Sequence, residues 1–115
     1  MHAPLIVQKA KNMLKVIRVE GESLSPEYLP GDYVVIYTGN RSRRPHPGAV
    51  VVFRHPAYGV MIKRVQRVDA DGWLYVTGSH PHSVDSARFG AIPPQDVIGK
   101  VIWHIRRPRP KSPHP

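Results

Sequence analysis

Thirteen prolines and nine glycines are spread through a chain of 115 residues, and they leave little room for a long helix. Proline lacks the backbone N–H and clashes with the preceding turn of a helix interior, and both residues punctuate local structure. The runs between them are short and rich in β-branched and aromatic residues, the composition of pleated strands. Val16, Ile17 and Val19 lead into a first strand; Tyr33-Val34-Val35-Ile36-Tyr37 is a second; Gly48 to Phe53 is a fully apolar third. Residues 60–68, Trp73-Leu74-Tyr75-Val76 and Val97 to Ile105 complete the set. His55-Pro56-Ala57-Tyr58-Gly59 and Asp69-Ala70-Asp71-Gly72 have the chemistry of turns between strands. Leu5, Ile6, Lys9 and Met13 stand at loosely helical spacing, which places a short helix over residues 5–14. The pattern predicts an all-β, mostly antiparallel domain, coiled into a partly closed barrel with both apolar faces buried. A single domain over residues 1–105 is expected, followed by an extended Pro/Arg-rich tail over 106–115.

Hydrophobic residues make up 41% of the chain, enough for one modest core. Cysteine is absent, which excludes disulfides, thiolate catalysis and cysteine-ligated metals. Seventeen basic residues against eight acidic ones give a net charge of +9, concentrated in Arg41, Arg43 and Arg44 and in the tail from Arg106 to Lys111. Such a surface attracts anionic partners. In the tail, a solvated end is the simpler reading. No apolar run approaches the ~20 residues of a membrane-spanning helix. The first residues lack the continuous apolar stretch of a secretory signal. A soluble cytoplasmic protein is expected.

One charge stands where strand periodicity does not place it. In Val60-Met61-Ile62-Lys63-Arg64-Val65, alternate residues share a face, so Lys63 points with Met61 and Val65. Arg64 and Gln66 mark the opposite face as the wet one. Lys63 either snorkels to water at a sheet edge or is buried. A buried lysine loses the stabilisation of its ammonium, and a neutral amine can act as a general base. A base is what a serine nucleophile needs, because its hydroxyl is unreactive at neutral pH. Ser23 lies in the turn-like stretch Gly21-Glu22-Ser23-Leu24-Ser25-Pro26. Residues 78–96 form a connection too long to be only a link, and such loops are often functional.

These elements occur in a familiar order: Gly21-Glu22-Ser23-Leu24-Ser25-Pro26, Gly31-Asp32, Lys63-Arg64-Val65, Ser83-Val84-Asp85-Ser86 with Phe89-Gly90, and Ile98-Gly99-Lys100-Val101. Together they resemble the type I signal peptidase family of Ser/Lys endopeptidases, which shares its fold with the LexA-like self-cleaving repressors. Size, layout and the stretch Arg54-His55-Pro56 before the lysine strand resemble the small proteases that mature nickel-type superoxide dismutase. The resemblance implies that Ser23 is the nucleophile and Lys63 the general base. It implies that Ser83 orients the lysine amine and that Asp85 holds the surrounding loop. The backbone N–H of Ser23 would form part of the oxyanion hole. A hydroxyl two residues before the nucleophile supplies a second donor in some members, and here that position is Gly21. The family's arginine after Asp-Ser is replaced by Ala87, with Arg88 one place later. The implied substrate is a protein precursor, such as that of nickel superoxide dismutase, that loses a pro- or leader peptide. No cofactor or metal is implied.

Other readings compete. Ser23, His55 and Asp85 could form a Ser/His/Asp triad, although seven histidines make such coincidences easy. His80 and His82 could bind a metal, against the simpler reading of a polar loop. A non-catalytic basic β-barrel that binds nucleic acid would use Trp73, Tyr75 and the arginine clusters, but those aromatics alternate with apolar residues in a way that fits a core.

Overall fold

The computed structural model of the chain describes residues 13–20, 24, 27–39, 44–77 and 90–108. Six strands form one sheet: β1 Leu14–Arg18, β2 Tyr33–Tyr37, β3 Val50–His55, β4 Gly59–Val68, β5 Leu74–Thr77 and β6 Val97–Ile105. Their spatial order is β1-β2-β6-β3-β4-β5, and every pairing is antiparallel. The described strands do not close on themselves, since β1 and β5 stand at opposite ends of the order. Beyond β5, Leu74 and Ile92 exchange backbone hydrogen bonds of 2.8 and 2.7 Å, so a second segment begins to cover that side. A 3-10 turn, Pro94–Asp96, leads into β6.

Two strands run over the residues that composition marks, Tyr33–Tyr37 and Val97–Ile105. Others shift. Leu14 opens β1, so the helix expected over residues 5–14 does not extend that far, and residues 5–12 lie outside the described residues. Val19 falls after β1 rather than in it. Gly48 and Ala49 precede β3, which continues instead through Arg54 and His55. These two polar residues pair with Val60 and Gly59 because the ladder is made by backbone groups and tolerates any side chain that has room.

Alternation along the strands sorts apolar side chains onto two faces. One face carries Val34, Ile36, Val50, Val52 and Ile62, joined by Val19, Leu24 and Tyr28. The other carries Val51, Phe53, Val65 and Val76, packed with Leu74, Ile92 and Val97. Each fully buried aliphatic side chain contributes about 1.5–3 kcal/mol. Both faces are therefore core over the middle of the sheet, and Ile62 corrects the reading of its side of β4 as simply wet. At the other end of the sheet, no described residue covers the second face. There Val16, Val35 and Trp103 lie in one cross-strand row. Val16 is 63% exposed and Trp103 is 66% exposed.

Candidate active site

Lys63 is fully buried, at 0% relative exposure. It sits in the centre of β4, directly across the ladder from Val51, which is also fully buried. Residues opposite each other in an antiparallel pair share a face. Lys63 therefore points into the core that holds Val51, Phe53 and Val65, with half-buried Met61 beside it. This removes the alternative in which the lysine reaches water at an edge. Withdrawal from water disfavours an ammonium relative to a neutral amine.

Arg64, the next residue, points to the opposite face and behaves differently. Its Nη2 donates to both carboxylate oxygens of Glu27 at 2.6 Å, and its Nη1 donates to the Gly48 carbonyl at 2.8 Å. Glu27 belongs to the segment that begins at Leu24, so this ion pair fastens β4 to the stretch that follows Ser23 in sequence.

That stretch is anchored at several points. Leu24 is 2% exposed and packs with Val19, Tyr28 and Val34. The Tyr28 amide donates to the Leu24 carbonyl at 3.0 Å. At its base, the Val19 amide donates to the Asp32 carbonyl at 2.7 Å and the Gly31 amide donates to the Val19 carbonyl at 2.9 Å. Gly31 has φ +92°, a left-handed conformation that L side chains rarely adopt, and a Cβ there would meet the Arg107 side chain at 3.0 Å. Asp32 is completely buried and its carboxylate accepts from Leu29 N, Arg107 N and His104 Nε2.

Among the described residues, Lys63 is sealed in one core and Leu24, which follows Ser23 in sequence, is fixed in the other. Ser23, Gly21, Ser83, Asp85 and Arg88 lie outside the described residues, as do His80 and His82. No cluster of three or more His, Asp or Glu residues able to hold a metal occurs among the described residues. His55 serves the β3–β4 hairpin, where its Nδ1 accepts from the amides of Ala57 at 3.0 Å and Tyr58 at 3.3 Å. The aromatics do not all behave as the sequence suggests. Trp73 is 41% exposed rather than core, and Tyr75 is covered by the guanidinium of Arg67 at 3.6 Å from its ring centre. The pairing of Asp32 with His104 escapes sequence reasoning, because nothing local to either residue signals a partner so far along the chain.

No helix among the described residues is long and apolar enough to cross a membrane. A model of the Peptidase S24-like family matches residues 2–102. Among curated proteins none matches the chain.

Proposed function

The chain belongs to the Peptidase S24-like family, and from that premise we propose that it is a serine endopeptidase working through a Ser23/Lys63 dyad. The observation that carries this reading is the complete burial of Lys63 on an apolar strand face. A lysine there is costly to keep as a cation, and the chemistry of a peptidase gives it a use.

In this mechanism the neutral Lys63 amine takes the proton of the Ser23 hydroxyl as Oγ attacks the scissile carbonyl. The negative charge on the carbonyl oxygen is met by backbone N–H donors, among them that of Ser23. The C–N bond then breaks, and protonated Lys63 returns its proton to the leaving amine. Water attacks the acyl-serine ester with the same amine as base, which releases the acid and regenerates the hydroxyl. This is the Ser-Lys version of triad logic. It works best when the amine titrates near ~7–8 rather than near the ordinary ~10.4. Ser83 would orient the amine and Asp85 would hold the loop that carries it, with Arg88 alongside.

The substrate in this reading is the pro- or leader segment of a protein precursor, bound as an extended strand. The layout around Arg54-His55-Pro56 supports the precursor of nickel superoxide dismutase as the first candidate, and a cytoplasmic location fits such a substrate. The test is co-expression of candidate precursors with the unmodified chain, Ser23→Ala and Lys63→Ala. A shortened product that appears only with the unmodified chain supports the dyad. Processing that survives Lys63→Ala overturns it. Failure to process the superoxide dismutase precursor while another is cut removes only that substrate.

A further inference from the structure

Buried Tyr28 and Asp32 and partly buried His104 form a polar cluster that the acyl-transfer steps do not use. His104, on β6, projects to the face that holds Val34, its partner across the β2–β6 ladder. Its Nε2 lies 2.7 Å from Asp32 Oδ2. A carboxylate only accepts, so this nitrogen carries the proton and donates. The imidazole also stacks on the Tyr28 ring, with centroids 4.2 Å apart and an interplanar angle of 19°. Asp32 in turn takes the Leu29 amide at 3.0 Å and the Arg107 amide at 3.0 Å. An apolar trio of the same volume would bury these positions with less desolvation, whereas a satisfied polar network selects one geometry among many.

The cluster sits at the closure of the segment that runs from Val19 to Asp32. Val19, Gly31 and Asp32 tie the two ends of that segment together. Tyr28, stacked on His104, holds the Leu24 carbonyl through its amide. Ser23 is one peptide bond from Leu24. A continuous set of contacts therefore runs from the last strand through His104 and Tyr28 to the residue adjoining the hydroxyl.

We propose that the Asp32–His104 pair is a positioning device that holds the Leu24 end of this segment in register with β4, so that the Ser23 hydroxyl meets the Lys63 amine. The inference rests on the Ser/Lys reading above. Neither residue touches the reacting atoms. Their effect is geometric, and a misplacement of about 1 Å can cost roughly a hundredfold in rate.

The test uses the full chain and p-nitrophenyl acetate as a small acylating probe. A bond forms between Ser23 Oγ and the acetyl carbon while the ester bond to p-nitrophenolate breaks, and the hydroxyl proton passes to Lys63. Acetyl-serine is counted by intact mass, with Ser23→Ala as the control. His104→Ala is expected to slow acylation roughly tenfold to a hundredfold at saturating probe with little change in the half-saturating concentration. His104→Gln, whose amide N–H can still donate to Asp32, restores most of the rate. Both are compared where circular dichroism shows a folded chain. A folded His104→Ala that acylates as fast as the unmodified chain overturns the proposal, as does a folded His104→Gln that is no faster than His104→Ala. No labelling of Ser23 in the unmodified chain overturns the Ser/Lys reading, and the positioning role with it.

Discussion

Arg64 and Glu27 join the lysine strand to the segment after Ser23, with one guanidinium nitrogen 2.6 Å from each carboxylate oxygen. Their side chains remain 35% and 47% exposed. Water and salt screen such a pair, so it is expected to contribute at most about 1 kcal/mol. Glu27→Gln should shift the urea midpoint only slightly, and the shift should shrink further in high salt. A loss several times larger would mean that the pair is a structural clamp and not a surface contact.

Lys63 faces Val51 across the β3–β4 ladder in a fully buried row. Lys63→Met keeps the length of the side chain and removes the polar nitrogen. The packing is kept and the contacts of the amine are lost, and leaving one buried polar partner unsatisfied costs about 1–3 kcal/mol. Lys63→Met is therefore expected to lose at most about 3 kcal/mol of stability, while under the Ser/Lys proposal peptidase activity falls by about 10²–10⁴, the usual worth of a general base. Thermal melts and cleavage assays on the same preparation check both halves.

Asp32 is the buried carboxylate on which three donors converge. Asp32→Ala leaves the Leu29 and Arg107 amides and the His104 ring without that acceptor. Loss of one member of a buried charged network costs about 3–5 kcal/mol, a large share of the ~5–15 kcal/mol that holds a domain folded. Denaturant titration should show this loss, with a smaller one for Asp32→Asn, which retains one acceptor oxygen.

Tyr28 is only 8% exposed, and its phenol is pushed above its ordinary value, first by burial and second by the Glu27 carboxylate. Arg64 and Arg106 oppose the shift. The folded chain thus holds the phenol proton more tightly than the unfolded chain. The resulting stability is fully present below the unfolded value of about 10 and is lost as pH rises through the folded one. Tyr28→Phe removes this contribution. The stability difference between the two chains, measured by urea unfolding, should narrow or reverse in favour of Phe at high alkalinity.

Gly99 on β6 lies against Ile36 and Tyr37 at the end of β2. A Cβ there would stand 2.8 Å from the Tyr37 carbonyl oxygen and 2.9 Å from Ile36 Cδ1. Backbone cannot yield as a flexible side chain can, so Gly99→Ala is expected to cost about 1–3 kcal/mol as overpacking. A melting temperature equal to that of the unmodified chain would show that the two strands can separate without penalty.

The exposed end of the second face is the largest departure from the expectation that both faces are buried. Val16 and Trp103 are as apolar as Val51 and Phe53, yet they are exposed while the latter pair is sealed. Nothing in the local sequence separates the two sets, because hydrophobicity reports what a residue favours and not what another segment covers.

The order of short strands, the antiparallel plan and the face on which Lys63 lies were all legible in the chain, since they follow from proline and glycine spacing and from the two-residue repeat of a strand. Strand ends were less so: Arg54 and His55 belong to β3 only because Val60 and Gly59 stand opposite them. Tertiary structure alone decided that Lys63 is sealed and that His104 meets Asp32, because both depend on side chains brought together from distant strands, and local pattern contains no distance.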